Sequence, residues 1–245
     1  MITWKDLLKR SHVPYSGKPE ACVVRGASGS CYPGVRIENI SYPLTVDALQ
    51  AALFACLSEK DTPANILLPA SAHTDDSVSQ VIRNWWKRLY NISEEFIVNA
   101  EENLPEPIAA YDLDNSDIGF QTLEALIADC IAPYSAFPVT ALVKTDKGVF
   151  SGVNIEVPDW QKGLCAERIA MAKACSYGAS EFMEIHIHAP GSDYASPCGA
   201  CRQFMSELMP LGRVAMHHNK YELTRFSVQE LLPYQFRAAS LGDKR

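Results

Sequence analysis

At 245 residues and 47% hydrophobic side chains, the chain can bury one large core or two small ones. A formal charge of −7 without any basic block excludes a broad surface tracking nucleic-acid phosphates, which needs clustered Lys and Arg. No apolar run is long enough to span a bilayer, and the opening Met-Ile-Thr-Trp-Lys-Asp lacks the basic and apolar regions of a signal peptide. The expected location is therefore cytoplasmic.

In chain order, Trp4, Leu7 and Leu8 suit a short amphipathic helix. Ala21 to Val24 and Cys31 to Ile37 read as paired strands around Gly26 to Gly29, and Leu44 to Leu57 as a buried helix. Ile66 to Leu68 is a short apolar strand. Val78, Ile82, Trp85, Trp86 and Leu89 recur at helical spacing, an aromatic stripe that reads as core or interface rather than a base-stacking platform. Phe96 to Val98 suits another strand. Glu101 to Pro107, with two prolines and three acids, is the best linker in the chain.

Further on, Asp117 can cap a helix containing Leu123, Leu126, Ile127 and Ile131, stopped by Pro133. Val139 to Lys144 and Val149 to Val153 are strands joined by the hairpin signal Asp146-Lys147-Gly148. Leu164 to Tyr177 is a helix ending at Gly178, and Met183 to Ala189 a strand. Cys198 to Leu208 is a helix. Val214 to Met216 and Tyr221 to Thr224 are the last strands, and Ser227 caps Val228 to Leu232. His186 and His188 alternate along a strand and read as packing or solvent-facing residues; His217 and His218 precede a turn and read as surface residues.

The first half echoes the second. Pro14-Tyr15-Ser16 matches Pro133-Tyr134-Ser135, and Gly34-Val35-Arg36-Ile37-Glu38 matches Gly152-Val153-Asn154-Ile155-Glu156, at offsets of 119 and 118 residues. A period this long means a duplicated domain rather than a solenoid. In the same register Asp47 falls on Cys165, Leu49 on Glu167 and Gln50 on Arg168, while Thr74 to Gln80 contains no cysteine. Leucine cannot transfer protons, so the first copy is expected to keep the fold without the chemistry.

The chemistry is concentrated in Cys165-Ala166-Glu167-Arg168 and Pro197-Cys198-Gly199-Ala200-Cys201. Cys-x-Glu followed by Pro-Cys-x-x-Cys is the signature of zinc-dependent base deaminases. A catalytic zinc takes three protein ligands and leaves a fourth position open. Cys165, Cys198 and Cys201 supply the three; one zinc per chain is expected. Cys198 and Cys201 share one face of a first helical turn, where amides and dipole favour thiolate. Glu167 is free to move protons, and bound zinc brings the pKa of water towards about 7. Arg168 can offset the charge of three thiolates by donating to the sulfurs. Cys-x-x-Cys alone also fits a redox pair or half of a structural zinc site, but the latter needs a fourth ligand and no second Cys-x-x-Cys exists. The other five cysteines (Cys22, Cys31, Cys56, Cys130, Cys175) read as reduced core residues.

Together with Pro133 to Val139, Gly152 to Glu156 and Ser196 to Gln203, these motifs make the stretch from about Ser116 to Phe236 resemble cytidine deaminase. The resemblance implies an α/β fold of two tandem three-layer α/β/α domains, each with a central mixed sheet: a degenerate copy over 1–102, a linker over 103–116 and a catalytic domain over 117–245. It implies hydrolytic deamination of cytidine and 2′-deoxycytidine to uridine and 2′-deoxyuridine by zinc-activated hydroxide, in pyrimidine salvage. Phe137 is expected to pack on the nucleoside, Asn154 and Glu156 to hold ribose hydroxyls, and the Ala166 amide and Ser196 carbonyl to contact the base. For Asn154 and Glu156 the alternative is capping of strand ends.

Two departures from the family pattern stand out. Thr140 replaces a small glycine, and Val157-Pro158-Asp159-Trp160 replaces an Asn-Ala-Ser-Tyr segment that completes a neighbouring subunit's pocket. The first copy keeps Asn39-Ile40-Ser41-Tyr42 instead, so Tyr42 is expected near a substrate pocket, across the interface of a homodimer. The rival readings are a deaminase of another aminated ring (blasticidin S, a nucleotide or a nucleic-acid cytosine) and a zinc-bearing interaction protein without activity. An intact Glu167 argues against the last.

Overall fold

A computed structural model describes residues 2–70, 77–111, 113–194 and 196–236. Its contacts form two compact units. The first gathers Met1–Ile37, Val46–Ala110 and Cys175–Gly178; the second gathers Glu38–Thr45, Tyr111–Ala174 and Ala179–Arg245. Most of the stretch around Thr74 lies outside the described residues.

The first unit is built on a four-stranded mixed sheet in the order β2-β1-β3-β4. Its strands are β1 (Ala21–Gly26), β2 (Cys31–Val35), β3 (Pro63–Pro69) and β4 (Glu94–Val98). β1 pairs antiparallel with β2 and β3, whereas β3 and β4 run parallel. A parallel pair needs a crossover, and α3 (Ser77–Leu89) provides it. α1 (Trp4–Leu8) buries Trp4 and Leu7 and is closed by a Thr3–Asp6 capping box. Trp86 of the aromatic stripe is 1% exposed and meets Phe54 edge to face at 5.6 Å.

The long helix expected from Leu44 begins later, as α2 (Ala48–Ser58), capped by Asp47 through a 2.7 Å bond from the Gln50 amide. Pro43 lies in a short 3-10 turn, Tyr42–Leu44, and Val46 is extended, exchanging both backbone bonds with Ile37. That bridge fixes Val46 outside helical geometry. The proline-containing stretch after Glu101 packs with this unit: Leu104 is buried and its amide donates to the Ile2 carbonyl.

The second unit carries five strands in the order β6-β5-β7-β8-β9. They are β5 (Thr140–Thr145), β6 (Gly148–Val153), β7 (Phe182–His188), β8 (Arg213–His217) and β9 (Leu223–Ser227). β5 and β6 form the expected hairpin, with Gly148 at φ 115, a conformation that favours glycine. β7 and β8 are parallel, bridged by α6 (Gly199–Leu208). α5 (Ala166–Ser176) follows β6, and α7 (Val228–Leu231), capped by Ser227, follows β9.

The helix expected behind Asp117 is shorter. Asp117 belongs to a 3-10 turn capped by Asp114, and α4 (Phe120–Ala125) starts from extended Gly119 and tightens into a 3-10 turn over Leu126–Asp129. Ile131 has left the helix to bridge Ile155. His217, expected at the surface, is buried, as are His186 and His188. His186 Nδ1 and His217 Nε2 lie 2.8 Å apart, and His188 bonds Glu124 at 2.9 Å. Strand pairing brings these rings together from separate segments, which a turn signal cannot reveal.

The duplicated glycines share one physical reason. A Cβ on Gly152 would stand 2.2 Å from the Ala166 carbonyl and 2.6 Å from the Ala170 amide. One on Gly34 would stand 2.2 Å from the Ala48 carbonyl and 2.4 Å from the Ala52 amide. In each unit the helix lies directly on the hairpin strand, and only glycine leaves room for it.

Candidate metal centre and substrate cavity

Three sulfurs meet where two helices begin. Cys165 immediately precedes α5, and its carbonyl accepts the Arg168 and Ile169 amides at 3.1 and 3.2 Å. Cys198 is the N-cap of α6, and Cys201 lies in its first turn. Cys165 Sγ is 3.7 Å from Cys198 Sγ, which is 3.5 Å from Cys201 Sγ; all three lie within 4.8 Å of one another. Tetrahedral zinc with bonds near 2.3 Å places its sulfur ligands about 3.8 Å apart. The donor set and its spacing therefore fit zinc. Among the described residues this is the one His/Cys/Asp/Glu cluster with ligand atoms so close together.

The sulfurs perturb one another. Cys198 is driven strongly towards thiolate, first by its sulfur–sulfur contacts with Cys165 and Cys201 and further by the Cys201 and Ala200 amides opening α6. Cys165 and Cys201 are raised, chiefly by their contacts with the neighbouring cysteine sulfurs.

Glu167 is 3% exposed, and its Oε2 has no hydrogen-bond partner among the described residues. Burial is the main cause that lifts its carboxyl to about 7. A buried, unpartnered carboxylate oxygen beside three sulfurs is costly unless a ligand or substrate meets it.

Arg168 differs from expectation in its partner. Its Nη2 donates to the Leu44 carbonyl at 2.9 Å, its guanidinium stands 5.3 Å over the Phe204 ring, and its Nε has no hydrogen-bond partner among the described residues. It therefore acts on the sulfurs by proximity of charge, and the turn Tyr42–Leu44 holds it there. That turn belongs to the second unit. Asn39 Nδ2 donates to the Gln203 carbonyl at 3.3 Å and the Ile40 amide to Glu207 at 3.2 Å. Tyr42 itself is 84% exposed.

A cavity of about 220 Å³ reaches Cys165, with Asn154, Glu156, Trp160, Arg168 and Ala200 also on its wall, while Glu167, Cys198 and Cys201 are not among its wall residues. It thus links the metal end to two of the expected ribose contacts. Phe137, Ala166, Ser196 and Tyr42 are not among its wall residues. Asn154 and Glu156 both bond the loop before β5, the capping role that the sequence leaves open. Phe137 is 38% exposed, Ala166 is buried, and the Ser196 hydroxyl accepts from Arg202 at 2.7 Å. The sequence marks Trp160 only as a departure from the family pattern; nothing in its spacing points to this wall.

In the first unit the equivalent positions hold no such chemistry. Asp47 serves as a helix cap, and Leu49 and Gln50 are buried.

Comparison with known proteins agrees with this architecture. Residues 118–217 and, separately, residues 5–72 match models described as the cytidine and deoxycytidylate deaminase zinc-binding region. Both halves thus have the fold of this deaminase family, and the second carries the three-sulfur cluster. Cytidine deaminase of Halalkalibacterium halodurans is 39% identical over 113 residues, covering 45% of this chain and 86% of that protein. The probable cytidine deaminase of Dictyostelium discoideum is 36% identical over 114 residues, covering 46% and 77%. The crystal structure of cytidine deaminase from Burkholderia pseudomallei is 34% identical, covers 47% of this chain and 94% of that chain, and superposes with a TM-score of 0.45. The chain belongs to the cytidine deaminase family, in duplicated form. It is a hydrolytic deaminase whose cofactor is zinc. Among the described residues, no helix is long and apolar enough to cross a membrane.

Proposed function

We propose that the chain deaminates cytidine and 2′-deoxycytidine to uridine and 2′-deoxyuridine, releasing ammonia, in pyrimidine salvage. The observation that carries this reading is the buried Glu167 carboxyl, whose Oε2 has no hydrogen-bond partner among the described residues, beside three sulfurs at zinc-ligand spacing. Cys165, Cys198 and Cys201 hold the metal. Zinc, when bound, supplies the Lewis acidity that makes hydroxide available near pH 7.

Glu167 moves the protons. It takes one from the attacking water as the oxygen bonds to C4 of the base, and gives it to ring N3. It then takes the remaining proton of that oxygen and delivers it to the amino group. The C4–N bond breaks, ammonia leaves and a carbonyl remains. Arg168 balances the excess negative charge of the thiolates. Phe137 packs on the nucleoside, Asn154 and Glu156 hold the sugar, and the Ala166 amide and Ser196 carbonyl orient the base. An anionic Glu156 is poorly suited to a phosphorylated substrate, which favours nucleoside over nucleotide.

Residues 1–102 are assigned to the non-catalytic domain, 103–116 to the connection, whose first part packs with the first unit, and 117–245 to the catalytic domain. The working assembly is a cytoplasmic homodimer. The test is ammonia release from a panel of cytidine, deoxycytidine, the nucleotide CMP, blasticidin S and a cytosine-containing oligonucleotide. Turnover of the two nucleosides above all others supports the reading; zinc-replete protein inactive on both rejects it.

A further inference from the structure

Ser135 is the hub of the loop before β5. Its amide and that of Tyr134 donate to Glu156 Oε2 at 3.1 and 2.9 Å. Its hydroxyl donates to Glu156 Oε1 and accepts from the Phe137 amide at 3.0 Å. Asn154 closes the same loop, accepting from the Val139 amide at 2.9 Å and donating to the Phe137 carbonyl at 3.0 Å. Between them Ala136 sits at φ 52, in the left-handed region that a non-glycine residue enters at a cost. The bonds around Ser135 hold that turn.

Counting acceptors shows what remains for a ligand. An ionised carboxylate offers about four acceptor positions. The loop fills both on Glu156 Oε2 and, through the Ser135 hydroxyl, one on Oε1. Among the described residues a single acceptor on Oε1 is left, together with the second N–H of Asn154. That pair is complementary to one hydroxyl, donating to the first and accepting from the second. Burial works to raise the Glu156 pKa, but the hydrogen bonds from Ser135 and Tyr134 outweigh it and keep the group ionised.

We propose that Ser135 is a positioning residue: its hydroxyl orients the Glu156 carboxylate so that one acceptor faces one sugar hydroxyl, and it fixes the Phe137 backbone in the same act. This rests on the reading that Glu156 and Asn154 face the sugar. Ser135 acts through them and touches no substrate.

The experiment is steady-state kinetics of the full chain on cytidine and on 2′,3′-dideoxycytidine, which lacks both sugar hydroxyls, for wild type, Ser135→Ala and Ser135→Thr. Loss of one hydrogen bond to a charged group predicts that Ser135→Ala raises the KM for cytidine about tenfold with kcat changed less than about twofold. The KM for the dideoxy substrate should rise less than about threefold, Ser135→Thr should restore the cytidine value, and zinc content should be unchanged. An unchanged KM for cytidine, or equal rises on both substrates, overturns the role of Ser135 while leaving cytidine deamination intact. A wild type that turns over both nucleosides equally well removes the sugar-facing reading, and the proposal with it.

Discussion

Gly152→Ala tests whether the sheet sets the metal site. The new Cβ would lie 2.2 Å from the Ala166 carbonyl, 2.6 Å from the Ala170 amide and 3.0 Å from the Ala170 Cβ, whereas ordinary contact begins at 3.4 Å. The two nearest neighbours are backbone atoms of α5, so no side chain can rotate away. The helix must retreat by about 1 Å, at a folding cost of about 1–3 kcal/mol typical of overpacking. At about 2–4 °C per kcal/mol for a chain of this size, Tm should fall by several degrees. Cys165 and Glu167 ride on the moving end of α5, and a displacement of about 1 Å in catalytic geometry can cost about a hundredfold. Gly34→Ala is the matched control: its Cβ meets the Ala48 carbonyl at 2.2 Å, but α2 carries neither metal ligand nor proton carrier. Both variants should melt earlier by circular dichroism. Only Gly152→Ala should also bind zinc more weakly in chelator competition and lose kcat/KM on cytidine by about one to two orders of magnitude. A folded Gly152→Ala protein with full zinc affinity and wild-type kcat/KM would show that the close packing of β6 on α5 does not set the metal site.

Glu167→Gln keeps the shape of the side chain and removes its basicity. Turnover on cytidine should fall by about 10²–10⁴ while metal analysis still finds one zinc per chain; retained turnover would remove Glu167 from the proton path. The buried histidine pair predicts acid sensitivity. Burial, with neighbouring His186 next, holds His217 at about 4, and burial also lowers His186. In the unfolded chain both titrate near 6.5, so from pH 6.5 to 4 the unfolded state binds more protons and stability falls as pH falls. After allowance for partial solvent access the histidines' share should be about 1–2 kcal/mol, read as the difference between wild type and His217→Gln in urea titrations at pH 7 and pH 5, because the Glu167 carboxyl, lifted to about 7 by burial, works in the opposite direction. His217→Gln should flatten that slope relative to wild type; an unchanged slope would assign the acid sensitivity elsewhere.

What the sequence reveals depends on how local the cause is. Cys-x-Glu and Pro-Cys-x-x-Cys are complete within a few residues each, and a helix start at each brings their sulfurs to 3.5–3.7 Å. The strands are legible from alternation and turn signals, and the duplicated glycines from two ordered matches. Helix starts are less legible. Leu44 and Val46 continue the apolar pattern of the helix behind them, yet Val46 is held extended by its bridge to Ile37, a partner nine residues away. Arg168 stands near the sulfurs as its place in the motif suggests, but its bonded partner is the backbone carbonyl of Leu44, and carbonyls leave no sequence signal. His217 faces His186 only because β7 and β8 pair in parallel. Ser135 is marked in the sequence only as part of the repeated Pro-Tyr-Ser; its role emerges when the fold brings its hydroxyl's two partners, Glu156 and Phe137, together.

The central claim is a three-sulfur zinc centre with one coordination position left for chemistry. X-ray absorption at the zinc edge of the purified chain measures it directly. The account predicts one zinc per chain, with three sulfur neighbours at about 2.3 Å and a single lighter neighbour. Four sulfur neighbours, or zinc bound without sulfur, would contradict it.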